Sequence, residues 1–286
     1  MKISGKTTTY GVIGDPIEHT LSPVIQNAAF QALGIDSVFL AFRVTAGNIE
    51  EAIHGMRSLD IKGLNVTMPH KNSVIPFLDE IDETARLLGS VNTIINVGGK
   101  LRGFSTDGTG AHRALEENGV SLKGKKLVLL GSGGAAKAIT LALAREVHEL
   151  IILNRTPRKA EALAQVINEK YHKKIVVGML TRRSIQKSLQ DADIAINATS
   201  VGMNPHPEMS LIKSAWLKPE LTLMDIVYDP LETKLAREAK ATGTRVISGV
   251  EMLIYQGAAS FEIWTGQPAP VQIMRKAALN QLVNTW

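Results

Sequence analysis

Apolar and polar residues alternate along this chain in a pattern that predicts strands and helices in turn. Short apolar runs predict strands at residues 10–14, 38–44 and 64–67. Apolar spacings of three and four predict helices at residues 23–33 and 49–59. Two further strand-like segments, 92–96 and 101–106, flank Gly98-Gly99 and predict a β-hairpin. Strands that alternate with helices predict an α/β domain with a largely parallel sheet.

A second series of strands and helices begins near Lys125. Leu127 to Leu130 form a continuous apolar run, as expected for a strand buried on both faces. Helices are then predicted at 135–145 and 157–170, and strands at 150–153, 175–177, 194–198, 223–226 and 246–247. From Glu251 the pattern predicts two helices broken by Gly266-Gln267-Pro268. The chain is therefore predicted to contain two α/β domains, with a boundary near Asp107–Thr109.

Composition supports this organisation and excludes several classes of protein. The chain has 286 residues, 44% hydrophobic and 21% charged, which is typical of two folded globular domains. No apolar run approaches the roughly 18 residues of a membrane span, and no basic segment with an apolar core opens the sequence. The absence of cysteine excludes disulfides, thiolate metal sites and cysteine nucleophiles, and it fits a cytoplasmic protein.

The net charge of +5 reflects a basic middle section, residues 123–187. Aromatic residues make up only 5% of the chain and no basic run is interleaved with them, so we expect no nucleic-acid partner. Solvated helix faces explain most of the charge, and a phosphorylated cofactor needs only a local basic cluster. The seven histidines lack ligand spacing, so no metal site is predicted.

A glycine-rich turn directly follows the predicted buried strand and opens the next predicted helix. Gly131, Gly133 and Ala136 have the spacing G-x-G-x-x-G/A. The first glycine permits a tight turn, the second lets the backbone approach a pyrophosphate, and the small alanine permits close helix–strand packing. The helix N-terminus attracts the phosphate charge. Because the flanking strand and helix supply the context that the motif requires, the turn predicts a dinucleotide site.

The end of the next predicted strand indicates which nicotinamide dinucleotide binds. An NAD site has Asp or Glu about 20 residues after the glycines, whereas this chain has Asn154-Arg155-Thr156 there. A carboxylate would repel a 2′-phosphate, but Arg155 can pair with it as a planar fork and Thr156 can donate a hydroxyl hydrogen bond. These residues predict NADP(H). Thr156 could also serve as the N-cap of the helix that begins at Pro157.

Polar residues also gather in three segments of the first domain, 14–23, 65–71, and Asn92 with Thr106-Asp107. Ser22 before Pro23 has the pattern of a helix N-cap, which by itself would explain both residues. A helix that opened at Pro69 would place the Lys71 ammonium in the positive field of the helix N-terminus, which favours deprotonation, whereas a nearby carboxylate such as Asp107 would oppose it. Such a lysine suits general acid/base work on a carbonyl/alcohol pair; the alternative is an ordinary surface lysine.

Eight separated motifs follow one another over nearly the whole chain. They are Asp15-Pro16-Ile17 with His19–Pro23, Asn65–Lys71, Gly89–Thr93, Gly103–Gly108, Gly131–Ala135, Asn154–Thr156, Asn197–Met203, and Met252-Leu253 with Gln256 to Trp264. Together and in this order they resemble the motifs of shikimate dehydrogenases. The resemblance implies NADP-dependent interconversion of 3-dehydroshikimate and shikimate, a step of chorismate and aromatic amino-acid biosynthesis. It also implies two α/β domains with a cleft between them: a substrate domain of residues 1–107 completed by helices in 250–286, and a Rossmann-type NADP-binding domain of residues 108–249.

The resemblance assigns site residues by position. Lys71 and Asp107 match the family's catalytic pair. Substrate-binding positions are matched by Thr20, Ser22, Asn65, Thr67, Lys71, Asn92, Asp107, Tyr228 and Gln256. Cofactor-binding positions are matched by Gly131, Ser132, Gly133, Gly134, Ala135, Asn154, Arg155, Thr156, Lys159, Thr199, Ser200, Gly249 and Met252. Hydroxyl and amide groups suit a small triol acid, because a polar group left unpaired in the site would penalise an analogue. The expected partner is this small molecule, with a homodimer as a possible assembly.

Three positions depart from the family's usual pattern. Thr20 stands where serine is usual, Ser132 where alanine is common, and Glu251 where a small or apolar residue is usual. The added methyl group at Thr20 leaves open a quinate or dual quinate/shikimate dehydrogenase on the same scaffold. A binding protein without activity is a further alternative, against which the intact pair of Lys71 and Asp107 speaks.

Simpler interpretations remain open for several of the matched positions. The segment Asn197–Met203 could be only a loop, and Gln256 only a polar residue on a helix face. Met252 and Trp264 could serve only in core packing.

Overall fold

The computed structural model describes residues 2–284, which form two compact units. Unit 1 comprises residues 2–106 and 254–284, and unit 2 comprises Asp107–Leu253. Each unit is built on a six-stranded sheet with helices. The predicted α/β fold class is thereby confirmed. None of the helices in the described part of the chain is long and apolar enough to cross a membrane.

Unit 1 contains a mixed sheet. Its elements are β1 (Thr8–Gly14), α1 (Ser22–Ala32), β2 (Ser37–Arg43), α2 (Ile49–Ser58), β3 (Gly63–Val66), β4 (Glu80–Ile81), α3 (Glu83–Leu88), β5 (Thr93–Val97) and β6 (Lys100–Phe104). The strand order is β2-β1-β3-β5-β6-β4. β1 pairs in parallel with β2 and β3, whereas β5 runs antiparallel to β3 and β6. This arrangement brings the ends of β1 and β3 and the start of β5 to one edge of the sheet.

The predicted hairpin is present, with Val97 paired to Lys100 across Gly98-Gly99. Both glycines have positive φ, 60° and 87°, as a two-residue turn between twisted strands requires. Residues from Gly249 form α9 (Gly249–Thr265) and α10 (Val271–Asn284), as the break at Gly266 predicted. α10 packs on α1 within unit 1.

Helix α9 is anchored to the sheet of unit 1 by Trp264. The indole Nε1 donates to the Ile94 carbonyl at 2.9 Å, and its ring lies 5.3 Å from Tyr10 and 5.8 Å from Phe39. Trp264 is 8% exposed, so it packs in the core, which is one of the two interpretations that the sequence left open. Gln256 and Ser260, eight and four residues earlier, share its face of the helix. Anchoring Trp264 therefore sets where these polar side chains lie on the sheet.

Unit 2 contains a parallel sheet. Its elements are α4 (Asp107–Glu117), β7 (Lys126–Leu130), α5 (Gly134–Leu143), β8 (Glu149–Asn154), α6 (Pro157–Tyr171), β9 (Val176–Met179), α7 (Arg182–Leu189), β10 (Ile194–Asn197), β11 (Thr222–Asp225), α8 (Lys234–Ala241) and β12 (Arg245–Ser248). The order β12-β11-β10-β7-β8-β9, with every pairing parallel, is that of the doubly wound dinucleotide-binding fold. The strand order reverses between β7 and β10, where such folds bind ligands at the carboxyl ends of the strands.

The structure differs from the sequence prediction in several elements. Helices α3, α4, α7 and α8 were not predicted. Three of them are short: α3 has six residues, and α7 and α8 have eight each, too few for a clear apolar period. No α-helix begins at Pro69: residues 68–74 form successive turns, in which the His70 amide donates to the Thr67 carbonyl. The helix-dipole argument for Lys71 was therefore wrong, because the field of a long helix is missing at that point.

Candidate active site

Two hydroxyl side chains meet at the start of α1. Thr20 Oγ1 donates to Ser22 Oγ at 3.2 Å, and the Ser22 amide donates to Thr20 Oγ1 at 3.3 Å. Ser22 is 7% exposed, and the helix begins at Ser22 itself after Leu21, without a side-chain cap. The N-cap interpretation of Ser22 was therefore wrong, since its hydroxyl turns to Thr20 rather than to the helix amides. The pair can hold an oxygen-rich group between two hydroxyls.

Amides and hydroxyls from β3, β5 and α9 form one buried cluster in unit 1. Asn65 Nδ2 donates to the Asn92 carbonyl at 3.1 Å and to Ser260 Oγ at 3.0 Å. Asn92 Nδ2 donates to Thr106 Oγ1 at 3.0 Å and to Gln256 Oε1 at 3.4 Å. The structure thus brings together three of the predicted substrate residues, Asn65, Asn92 and Gln256, from distant parts of the sequence. Gln256 lies on the face of α9 that meets this cluster.

The turn that carries Lys71 is tied to the neighbouring strands. The Lys71 carbonyl accepts from the Val91 amide at 2.8 Å, and the Met68 carbonyl accepts from the Asp15 amide at 3.0 Å. His70, fully buried, donates from Nε2 to the Val44 carbonyl at 2.6 Å. The half-buried Lys71 side chain is therefore presented by a constrained backbone, unlike that of a lysine on an open surface. Thr67, also half-buried, lies at the carboxyl end of β3 beside this turn.

Asp107 and Tyr228, the two remaining substrate candidates, belong to unit 2. Asp107 is the first residue of α4, where the helix dipole stabilises a carboxylate, and it is 9% exposed. Tyr228 follows β11 and is half-buried. Burial, with a smaller effect from Asp229, raises the pKa of the Tyr228 phenol above its ordinary value. The phenol therefore keeps its proton at neutral pH and can donate a hydrogen bond to an anion.

The glycine turn has the geometry that a dinucleotide requires. Gly131 directly follows β7 with φ of 108°, and a Cβ there would lie 2.7 Å from the Ala198 carbonyl oxygen. At Gly133 and Gly134 a Cβ would meet nothing within 4 Å, so the space above them is open. The first amides of α5 have no carbonyl partners inside the helix, and no N-cap side chain bonds to them. Ser132 is 5% exposed, and Ala135 is half-buried in the first turn of α5. A pyrophosphate can approach the backbone here.

A basic group lies at the end of β8. Arg155 and Lys159 are exposed, and Asn154 Nδ2 donates to the Thr156 carbonyl at 2.9 Å, which holds the turn before α6. Thr156 occupies the N-cap position of α6, but its side chain makes no capping hydrogen bond. The Thr156 hydroxyl is thus exposed beside the two cations, an arrangement that fits a phosphate monoester.

The loop after β10 is held by buried polar groups. Asn197 Oδ1 accepts from Thr199 Oγ1 at 2.7 Å, and its Nδ2 donates to Asp225 Oδ1 at 3.0 Å. The Val201 amide donates to Thr199 Oγ1 at 3.1 Å. These hydrogen bonds hold the backbone of the segment that begins at Asn197 in one conformation. Ser200, exposed, follows Thr199 in it.

Gly249 and Met252 lie in the first turns of α9. A Cβ at Gly249 would collide with the Ile226 carbonyl, so only glycine permits this close approach of α9 to the segment after β11. Met252 is 8% exposed. Glu251, unexplained from the sequence, occupies the first turn of α9, where the helix dipole stabilises a carboxylate. The structure therefore supplies a local reason for this charge.

Two buried hydroxyl residues of the unit 1 cluster, Thr93 and Ser260, were not among the predicted site residues. Ser260 stands four residues after Gln256, so the helical period could have identified it as a neighbour on the same face. Thr93 directly follows Asn92 and gave no such signal. Among residues 2–284, no group of three or more His, Asp or Glu side chains is arranged to hold a metal ion.

Comparison with known families agrees with both units. Residues 12–94 match the shikimate dehydrogenase substrate binding domain, residues 112–227 match the shikimate/quinate 5-dehydrogenase family, and residues 249–279 match the shikimate 5′-dehydrogenase C-terminal domain.

Individual proteins are similar over nearly their full lengths. The shikimate dehydrogenase (NADP(+)) of Alkaliphilus metalliredigens is 43% identical over 98% of this chain and 99% of its own. A crystal structure of a shikimate dehydrogenase in complex with NADP⁺ has a TM-score of 0.93 and 43% identity, over 98% of each chain. That of the Listeria monocytogenes shikimate 5-dehydrogenase, in complex with shikimate and NAD, has a TM-score of 0.91 and 38% identity, over 96% of this chain and 98% of its own. This chain therefore belongs to the shikimate dehydrogenase family.

Proposed function

We propose that this protein is an NADP-dependent oxidoreductase that reversibly reduces 3-dehydroshikimate to shikimate. The observation that carries the proposal is the buried cluster of Asn65, Asn92 and Gln256 in unit 1, the unit whose sequence matches the family's substrate binding domain. A small acid with several hydroxyls needs such a set of amides and hydroxyls to be recognised. We assign substrate binding to residues 1–107 with 250–286, and cofactor binding to residues 108–249.

NADP(H) fits the groups present in unit 2. The space above Gly133 and Gly134 admits a pyrophosphate, and Arg155, Lys159 and Thr156 form a cationic and hydroxyl group for a 2′-phosphate. No carboxylate stands at the end of β8 to hold a free 2′-hydroxyl. A relative supports the same cofactor, because the similar crystal structure with a TM-score of 0.93 contains NADP⁺. When bound, this cofactor supplies the hydride.

Lys71 would supply the proton to the carbonyl oxygen in reduction and accept it back in the reverse direction. Its backbone is tied to the Val91 amide, so the ammonium can be held near one place in the site. Asp107 is the second member of the pair. Thr20 and Ser22, which meet at the start of α1, offer a hydroxyl donor for the substrate carboxylate. Tyr228 of unit 2, whose phenol stays protonated, is a further substrate candidate. Asn65, Thr67, Asn92 and Gln256 would hold the ring hydroxyls.

The test is absorbance of reduced nicotinamide with purified protein, shikimate or quinate, and NADP⁺ or NAD⁺. We expect rapid reduction with shikimate and NADP⁺. Comparable rates with quinate or NAD⁺ would place the protein with dual-specificity dehydrogenases, an outcome that the NAD complex of the Listeria relative makes worth measuring. Folded protein that reduces neither nicotinamide with either acid would refute the proposal and leave a binding protein.

A lysine variant tests the proton-transfer role. Lys71→Ala should lower kcat by roughly 10²–10⁴-fold, the usual loss of a general acid/base, and leave the NADPH dissociation constant nearly unchanged. Lys62→Ala is the matched control, because Lys62 is a half-buried lysine of the same unit, and its ion pair with the exposed Asp60, at 2.6 Å, is of a kind that contributes little. Near-normal turnover of Lys71→Ala would contradict the assignment.

A further inference from the structure

Positive charge is concentrated at one part of the unit 2 sheet, the carboxyl ends of β7, β8 and β9. These strands pair in parallel, so their carboxyl ends lie side by side, and α5, α6 and α7 begin there. Exposed cations stand just before these helices or among their first four residues: Lys137, Arg155, Arg158, Lys159, Arg182 and Arg183. Within residues 2–284 none of these side chains forms an ion pair, and no acidic residue occupies the first turn of α5, α6 or α7.

Cations at two other element starts of unit 2 have acidic partners. Lys126, the first residue of β7, lies 2.9 Å from Asp191 and 3.3 Å from Glu149. Lys234, the first residue of α8, lies 3.8 Å from Glu238. The amino end of β7 and the start of α8 are therefore balanced in charge, whereas the carboxyl ends of β7, β8 and β9 are not.

The stability of α7 does not explain Arg182 and Arg183. They are the first two residues of that helix, where the positive end of the helix dipole disfavours a cation. Both are exposed, and the Ser184 amide donates to Thr181 Oγ1 at 3.1 Å, so the helix is capped without them. Their charge opposes the local field and therefore points to a negatively charged ligand outside the helix.

We propose that Arg182 and Arg183 extend the cationic group of Arg155 and Lys159 into a surface that attracts the phosphates of NADP(H) and speeds its association. The inference rests on the proposed function and deepens it. The 2′-phosphate carries about −1.5 to −2 charges at neutral pH, in addition to those of the pyrophosphate. A surface of one sign raises the local concentration of such a ligand, and with it the association rate, by about 10–10³-fold.

The backbone brings these two arginines near the place expected for the 2′-phosphate. β9 pairs with β8, and the Leu180 amide donates to the Asn154 carbonyl at 3.0 Å. The turn before α7 therefore contacts the residue that precedes Arg155. Neighbouring strands lie about 4.8 Å apart and consecutive Cα atoms about 3.8 Å apart, so the two charges lie about 10–15 Å from a phosphate held by Arg155. At that distance they act on the phosphate through solvent.

Stopped-flow fluorescence of NADPH separates attraction from contact, because it gives the association and the dissociation rate constants of the cofactor. The test variant is Arg182→Gln/Arg183→Gln. Lys174→Gln/Lys187→Gln is the matched control, which removes the same charge from the same elements. Exposed Lys174 precedes β9 at its amino end, and exposed Lys187 lies in the last turn of α7. Each protein is measured with NADPH and NADH at about 10 mM and about 1 M KCl, where the Debye length is about 30 Å and about 3 Å.

At about 10 mM KCl we expect the arginine variant to bind NADPH about tenfold more slowly, because two charges about 12 Å from the phosphates are lost. NADH lacks the 2′-phosphate, so its association should slow only about threefold. The lysine control, whose charges lie farther from the phosphates, should slow NADPH by about threefold or less. At about 1 M KCl the association rates should converge, and the dissociation rate constants should stay within about twofold of wild type.

The proposal is overturned if the lysine control slows NADPH as much as the arginine variant does, since net charge alone would then account for the rate. A loss that persists at high salt in the dissociation rate constant would assign the arginines to direct contact with bound cofactor instead. Unchanged association at low salt would remove their role altogether. Failure of the proposed function is distinguishable, because it would be seen already in the wild-type protein, which would not bind NADPH or would not oxidise shikimate.

Discussion

Gly131 is the position where one added methyl group should disturb both folding and cofactor binding. Its φ of 108° lies outside the range that side chains with a Cβ adopt readily. An alanine Cβ would stand 2.7 Å from the Ala198 carbonyl oxygen and 3.2 Å from Thr199 Cγ2. The carbonyl belongs to the backbone, so it cannot move away as a flexible side chain would. Gly131→Ala should force apart the ends of β7 and β10.

The size of the effect follows from these two terms. An unfavourable backbone conformation costs about 1–2 kcal/mol, and overpacking against neighbours costs about 1–3 kcal/mol. The free energy of unfolding should therefore fall by about 2–5 kcal/mol, a large part of the 5–15 kcal/mol typical of native proteins. For a unit of this length the melting temperature should drop by roughly 5–20 °C.

Gly133→Ala is the matched control two residues later. Gly133 has φ of −74° and ψ of −172°, and an added Cβ meets no atom within 4 Å. The N-cap preference against alanine and the reduced entropy of the unfolded chain nearly cancel, so stability should change by about 1 kcal/mol or less. The methyl group would nevertheless stand where a pyrophosphate approaches, and NADPH affinity should fall about tenfold or more.

Calorimetry without cofactor gives the melting temperatures, and NADPH fluorescence titration gives the dissociation constants. The expected pattern is loss of stability in Gly131→Ala and loss of affinity without loss of stability in Gly133→Ala. Equal stability losses in both variants would contradict the clash expected at Gly131. Unchanged NADPH affinity of Gly133→Ala would contradict the approach of a pyrophosphate at Gly133.

Three other substitutions test separate parts of the structure. Arg155→Asp should weaken NADPH by about tenfold more than NADH in fluorescence titrations, since a carboxylate repels a 2′-phosphate; equal losses would argue against this role. Burial raises the pKa of the Asp225 carboxyl above its ordinary value of about 4. At pH values between the ordinary and the raised pKa, the folded protein binds more protons than the unfolded chain, so the free energy of unfolding falls as the pH rises. Asp225→Asn, whose amide can donate to Thr233, should flatten this pH dependence of the free energy of unfolding, measured by urea unfolding at several pH values. An unaltered pH dependence would show that it arises from another group. Trp264→Phe removes the hydrogen bond to the Ile94 carbonyl and should cost about 1–3 kcal/mol by denaturant unfolding, so an unchanged midpoint would contradict the anchoring of α9.

Local chemistry in the sequence predicted much of the fold. The apolar run before Gly131 and the glycine spacing after it indicated a buried strand, a tight turn and a helix, and the structure confirms the Rossmann-type unit. The positive φ of Gly98 and Gly99 likewise belongs to a two-residue turn that neighbouring residues specify. Short elements such as α3 and α7 escaped because they are too brief to show a period.

Side-chain roles at element ends were less accessible from the sequence. Serine and threonine commonly cap helices, yet neither the Ser22 nor the Thr156 side chain caps its helix. Pro69 seemed able to open a helix, but the backbone at 68–74 forms turns tied to Thr67. Ser22 bonds to Thr20 and the turn at His70 bonds to Thr67, whereas Thr156 stays exposed, and the propensity of the residue could not show which of these outcomes would occur.

The sequence by itself determined the α/β class, the glycine turn, the basic group at Arg155 and the family to which the chain belongs, because each depends on residues close together in the chain or on motifs in order. Only the tertiary structure decided that Ser260, 195 residues from Asn65, bonds to it, and that the Asn92 amide meets Gln256 of α9. These contacts come from the pairing of β3 with β5 and from α9 anchored by Trp264. Contacts over such separations arise from sheet register and helix packing, which no local pattern of residues encodes.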